Sequence, residues 1–243
     1  MKRIYLSPHF DDAAFSCGGV IWEQVQTGDQ VSILTVCAGE PPPAPISKYA
    51  QSLHARWQTG TNAVKVRKDE NRHSCQILGA RAINLAIPDV IYRRSPIDGL
   101  PICMSDADLT AELQAVETPI IETLKDELVK NIPKDCEIVS PLALGGHVDH
   151  RLVRSAVELL GRPVKYYADF PYSADLDSSQ IDLEMGMHHD LHPISRKSLE
   201  TWQSSIAAHA SQISTFWNSA NQMREAVQAY WEPNRGLNFW YFP

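Results

Sequence analysis

The stretch IYLSPHFDDAAFSCGGVIWEQVQTGDQVSILTV, residues 4–36, decides the fold. It opens on Ile4-Tyr5-Leu6, a short apolar run behind a charged start, which reads as a strand. Between Asp12 and Gln26 the residues Ala14, Cys17, Gly18, Ile21 and Val25 fall at helical spacing, and Gly28-Asp29 ends that helix. Val31 to Val36 is almost continuously apolar, the pattern of a strand covered on both faces. Strand, helix and buried strand in so short a span make a βαβ unit, which implies a parallel sheet with helices packed on it.

The same rhythm continues outward. The four prolines within residues 39–47 make a loop. Residues 50–78 read as one long helix closed by Gly79, and 82–87 as a third strand ended by Pro88. Residues 89–108 are irregular, and a loop of that length in a compact domain is usually functional or mobile. Residues 109–129 read as a helix that Pro119 kinks or divides, 137–142 as strand four, 148–160 as a helix and 164–168 as strand five. Beyond Pro171 the rhythm changes. Residues 185–194 read as a further strand, and 196–231 are helical in character. The expected architecture is a Rossmann-like, three-layer α/β fold with a mainly parallel sheet. Residues 1–243 are read as a single domain, with a helical segment at about 195–232 packed on it.

Composition removes several function classes. Of 243 residues, 44% are hydrophobic and 21% charged, values of a globular chain rather than a disordered or fibrous one. Lys and Arg number 22 against 29 Asp and Glu, a net charge of −7 with no basic stripe, so nucleic acid is not the expected partner. No run approaches the apolar length of a membrane span. Five cysteines without CxxC spacing suit a reduced, cytoplasmic protein better than a disulfide framework. Neither GxGxxG nor a P-loop occurs, and Ser16 lacks the GxSxG spacing of a nucleophile elbow.

In an open α/β sheet, ligands bind beyond the carboxyl ends of the strands. Two polar clusters fall there: Ser7-Pro8-His9-Phe10-Asp11-Asp12 after strand one, and Gly145-Gly146-His147-Val148-Asp149-His150 after strand four. Taken alone, Asp11-Asp12 reads as a helix cap with favourable charge, and His9 as a loop residue. Together they can form a metal centre. A catalytic zinc takes three protein ligands and leaves one position open. His9, Asp12 and His150 could supply the three, while Asp11 takes a proton from water. His147 could polarise a carbonyl or protonate a leaving amine, with Asp149 orienting it. Two imidazoles and a carboxylate also accept Fe²⁺, Co²⁺ or Ni²⁺. The tract Met187-His188-His189-Asp190-Leu191-His192 reads as a strand edge, since one flexible tract lacks the geometry of a closed site. His209 is left between reaching the site and packing between helices. The tail Phe239-Trp240-Tyr241-Phe242 could cover a core or a subunit interface, so a homo-oligomer stays open.

Ser7 to Ala13 resembles the PHxDD signature of the PIG-L/LmbE family of zinc-dependent N-acetylglucosaminyl deacetylases, and His147-Val148-Asp149-His150 resembles its HxDH motif. Arg67-Lys68-Asp69-Glu70 with Leu78-Gly79, Asp169-Phe170-Pro171-Tyr172, and His209 to Gln212 resemble further segments in the family's order. The resemblance implies a Rossmann-like domain with one Zn²⁺ on His9, Asp12 and His150. Asp11 would be the general base, His147 the acid or oxyanion-stabilising group and Asp149 its partner. Arg67 and Asp89 would face the substrate. The implied reaction is hydrolysis of an N-acetyl group on an amino sugar or sugar conjugate, a small-molecule substrate. Hydrolysis of another amide or an ester, such as a thiol-conjugate amide, is the alternative. A non-catalytic sugar-binding protein on the same fold is a third, against which the retention of Asp11 argues. Some members carry a Tyr just before HxDH. Leu144, Gly145 and Gly146 stand there in this chain, so its role must pass to another group.

Overall fold

The computed structural model describes residues 1–243. Seven strands form one sheet: β1 (Lys2–Ser7), β2 (Gln30–Thr35), β3 (Arg81–Asn84), β4 (Cys136–Pro141), β5 (Val164–Tyr167), β6 (His188–Pro193) and β7 (Gly236–Tyr241). Their order is β3-β2-β1-β4-β5-β7-β6, with the first five parallel and β7 and β6 joined antiparallel at one edge. β1 is central, and its side chains alternate between layers. Tyr5 enters one core with Ile33 and Val139, while Ile4 and Leu6 enter the other with Leu34 and Ile138. Apolar residues on both faces are why β1 and β2 read as continuous hydrophobic runs.

On the Tyr5 face lie α1 (Asp12–Gln26), α3 (Ala63–Leu78), α8 (Arg196–Ala207) and α10 (Ala220–Trp231). Helices α1 and α8 approach closely because Gly18 has no side chain: a Cβ there would stand 2.5 Å from Trp202 Cδ1. Trp202 is fully buried, and its indole N–H donates to the carbonyls of Ala14 and Phe15, both at 3.0 Å. Truncating it to Ala would cost about 3–5 kcal/mol. On the opposite face α5 (Thr118–Asn131) and α6 (Val148–Glu158) bury Leu124, Leu128, Leu152 and Val157. No helix is long and apolar enough to cross a membrane.

Two expectations need correction, and two regions hold more than the sequence indicates. The helix expected over 50–78 is two, α2 (Lys48–Arg56) and α3. The break carries Gln58 and Gly60 in the left-handed region, with φ of +57° and +55°. The helix expected from 109 begins at Thr118. Pro119 is therefore not a kink but sits in the first turn, where its missing N–H is harmless. Ahead of it lies only a short α4 (Asp106–Leu109). Residues 196–231 divide into α8, α9 (Ala210–Phe216) and α10, the last capped by Ser219 accepting from the Gln222 N–H at 3.2 Å. Helix α7 (Ser178–Met185) was not anticipated.

Candidate active site

β1 sits between β2 and β4, so the chain leaves the sheet in opposite directions on its two sides. Such a reversal opens a crevice at the carboxyl ends of the strands. The loop after β1 is fixed by Ser7, whose hydroxyl donates to the His9 carbonyl at 2.5 Å and accepts from the Ala13 N–H at 3.0 Å. This turn places His9, Asp11 and Asp12 in the crevice, and the start of α6 brings His147, Asp149 and His150 to meet them.

The Asp12 carboxylate lies between two imidazoles. One oxygen is 3.3 Å from His9 Nδ1 and the other 3.3 Å from His150 Nε2. Two ligand atoms on a tetrahedral zinc lie about 3.4 Å apart, so these spacings fit a bound divalent ion. Ring nitrogens of His9, His147 and His150 also lie within 4.8 Å of one another, which brings His147 into reach of the same ion. The other ring nitrogen of each imidazole meets a carboxylate: His9 Nε2 is 3.0 Å from Asp149, and His150 Nδ1 is 2.6 Å from Asp169. A carboxylate behind a metal-binding imidazole fixes its tautomer and raises its basicity.

Charge points the same way. Asp11, Asp12, Asp89, Asp149 and Asp169 surround the crevice, against the guanidiniums of Arg67 and Arg93. Burial disfavours a charged ring at His150, yet the carboxylates of Asp12 and Asp169 push it up to about 10. The same field favours any cation held among these donors. His147 differs. Burial, and then the neighbouring His9, holds it well below the usual histidine range. Its Nδ1 accepts the Asp149 backbone N–H at 3.2 Å, so the neutral ring carries its proton on Nε2.

Asp11 lines the same crevice and is held by Arg67 at 3.2 Å. Arg67 also reaches Asp89 at 3.6 Å, with its guanidinium 4.7 Å over the Trp57 ring. Asp89 caps the following turn through the Ile91 N–H and comes within 3.7 Å of His9. Arg67 and Asp89 both line the cavity, of about 110 Å³, beside Asp11. The Asp149 side chain is turned to His9, to Arg93 at 2.6 Å and to the Val90 N–H at 3.0 Å. His147 meets only its backbone. The three histidines of the β6 tract stay on that strand, away from the crevice.

Several residues take places that the sequence reading did not assign. Asp169 lies two residues past the end of β5 and comes to His150 because β5 neighbours β4. Arg93 bridges Asp149 to the buried Glu117 at 2.7 Å. Tyr172 lines the cavity, its ring edge-on to His150 with centroids 6.5 Å apart. A Cβ on residue 145 would stand 2.6 Å from the Tyr172 ring, so Gly145 makes the space that Tyr172 fills. His209 is fully buried against Phe15, with both ring nitrogens without partners.

The 2′-N-acetylparomamine deacetylases of Niallia circulans and Streptomyces fradiae are 30% and 29% identical over 188 residues, spanning 70% and 74% of this chain. The matches span 66% and 61% of those relatives, just under two thirds of their length. The zinc-inhibited form of a teicoplanin deacetylase superposes with a TM-score of 0.80 at 23% identity, covering 99% of this chain and 97% of that one. The N,N′-diacetylchitobiose deacetylase of Pyrococcus horikoshii gives 0.56 at 19%, covering 100% and 84%. At such identities the two structures speak to the fold. Residues 4–160, well over half the chain, match the family described as PIG-L, GlcNAc-PI de-N-acetylase, and the chain belongs to that family.

Proposed function

We propose that the protein is a divalent-metal-dependent N-deacetylase acting on an amino sugar or a sugar conjugate, with an N-acetylglucosamine-type ring as the acetylated unit. The observation that carries this reading is the division of labour between adjacent carboxylates. Asp12 joins two imidazoles at metal-ligand spacing, while Asp11 faces the cavity on the Arg67 side. The deacetylases among its relatives support the reaction, and the 2′-N-acetylparomamine deacetylases support the substrate class. Zinc is the proposed metal, on the donor set His9, Asp12 and His150. Five free cysteines support a reducing, cytoplasmic setting.

The bound metal would polarise the acetyl carbonyl and lower the pKa of water, to about 7 in zinc hydrolases. The protein's own groups do the rest. Asp11 takes a proton from the attacking water, held in place by Arg67. His147 presents Nε2–H to the oxygen that gains charge as water adds to the carbonyl carbon. The proton on Asp11 passes to the amide nitrogen as the C–N bond breaks, leaving acetate and a free amine. Asp149 and Asp169 hold the two ligand rings, and Asp149 acts through His9 rather than through His147. Tyr172 takes the part of the Tyr absent before His147, with its hydroxyl assisting the oxyanion. Arg67 and Asp89 line the substrate side, and Arg67 acts chiefly by positioning Asp11.

The test is acetate release from N-acetylglucosamine and 2′-N-acetylparomamine by zinc-loaded protein, beside Asp11→Asn. The reading predicts turnover by wild type and a loss of about 10²–10⁴ in the variant, with bound metal retained. Full activity in a zinc-bearing Asp11→Asn protein would remove Asp11 as base.

A further inference from the structure

Two segments singled out in the sequence, Arg67 to Glu70 and His209 to Gln212, meet in the structure, and the proposed chemistry uses Arg67 alone. Glu70 stands three residues after Arg67 on α3, so the two side chains share a face of that helix. Arg67 holds Asp11 at 3.2 Å. Glu70 holds the start of α9: one carboxylate oxygen accepts the Ser211 N–H at 2.8 Å and the other accepts its hydroxyl at 2.6 Å. Gln212 follows. It is 3% exposed, lines the catalytic cavity with Asp11 and Arg67, and donates from Nε2 to Ser211 Oγ at 2.9 Å.

This chain of donors fixes which end of the Gln212 amide is free. A carboxylate only accepts, so the single hydroxyl proton of Ser211 is committed to Glu70. The hydroxyl then accepts from Gln212, which turns Nε2 to Ser211 and leaves the carbonyl oxygen, Oε1, without a hydrogen bond from the protein. Thr215, three residues on and lining the same cavity, has a buried hydroxyl that is also unpartnered. Buried polar groups ordinarily find partners, so this wall holds capacity for a ligand.

We propose that Gln212 makes the site selective for secondary amides, its Oε1 accepting the N–H of the scissile acetamido group. The inference rests on the N-deacetylase reading and adds the residue that recognises the bond. Proton delivery from Asp11 sets the amide nitrogen on the Asp11 side of the cavity, the side to which Arg67 and Glu70 tie α9. An N–H buried there needs an acceptor. A neutral carbonyl holds it without competing for the proton that Asp11 must deliver. As water adds and the nitrogen becomes pyramidal, an N–H directed at Gln212 turns the nitrogen lone pair to the protonated Asp11. An ester brings an oxygen in place of the N–H, and two acceptors then face each other. Ser211 and Glu70 are positioning residues that act through Gln212.

Gln212→Met keeps the length of the side chain and removes its polar end. Zinc-loaded wild type and variant are compared on N-acetylglucosamine and 2-O-acetylglucose, which differ at the scissile bond by N–H against O. The variant should lower the ratio of amide to ester kcat/KM about tenfold to a hundredfold. Ser211→Ala, which leaves Gln212 in place and frees its amide to turn, should lower the same ratio about threefold. An unchanged ratio in Gln212→Met overturns Gln212 as the acceptor, whether both activities persist or fall together. If Gln212→Met does not fold, Ser211→Ala decides on the same readout. If zinc-loaded wild type releases no acetate from N-acetylglucosamine, the N-deacetylase reading falls, and Gln212 is judged by NMR titration with the two sugars. The assignment then stands if wild type binds N-acetylglucosamine about threefold or more tighter than the ester and the variant does not. It falls if the two proteins show the same preference or none.

Discussion

The two ends of the parallel sheet share the same strands and differ in what they gather. The amino ends of β4 and β5 border the larger cleft, about 920 Å³, lined by Lys134, Arg154, Arg162, Tyr166 and Phe242. The carboxyl ends of β1 and β4 border a cavity of about 110 Å³. The small one holds three imidazoles and a ring of buried carboxylates, while Arg162 in the large one is spent on the backbone carbonyls of Pro133, Lys134 and Cys136. Convergence of donors marks a site better than volume does. Convergence arises where loops leave the strands on both sides of a topological switch.

The contrast is sharpest at Asp149, which is fully buried. Its carboxylate joins His9, Arg93 and the Val90 N–H, so Asp149→Ala leaves a buried amide unpaired and the buried Arg93 guanidinium with Glu117 as its one carboxylate. We expect a loss of about 3–5 kcal/mol in denaturant unfolding, and a weakened hold on the metal. A stability close to wild type would show that the network is not the frame of the site. Tyr172→Phe comes next. Removing one donor to the developing oxyanion should lower kcat roughly tenfold to a hundredfold with KM kept. An unchanged kcat would pass the role to backbone N–H groups. The smallest effect belongs to the other end. Arg162→Ala should leave kcat/KM within about twofold of wild type, and a larger fall would give that cleft a part in catalysis.

The sequence carried the alternation of strands and helices and the two His/Asp clusters, because both are local. Buried strands need continuous apolar runs, and a switch-point site needs polar loops directly after them. What escaped was set by contacts between distant segments. Asp169 lies 19 residues from His150, and their meeting depends on β5 pairing with β4. The turn of Asp149 toward His9 depends on Arg93, 56 residues away, drawing its other oxygen. The breaks flanking α2 and α9 also follow tertiary need. The first lays Trp57 against Arg67, and the second sets His209 against Phe15. The antiparallel β6–β7 edge was half legible, since the aromatic tail showed only that it had something to cover.

Metal content tests the central claim most directly. Elemental analysis of zinc-loaded, dialysed wild type beside His150→Ala should give about one equivalent per wild-type chain and a small fraction of that in the variant. No retained metal in wild type, or equal retention in both, would contradict a metal centre built on His9, Asp12 and His150.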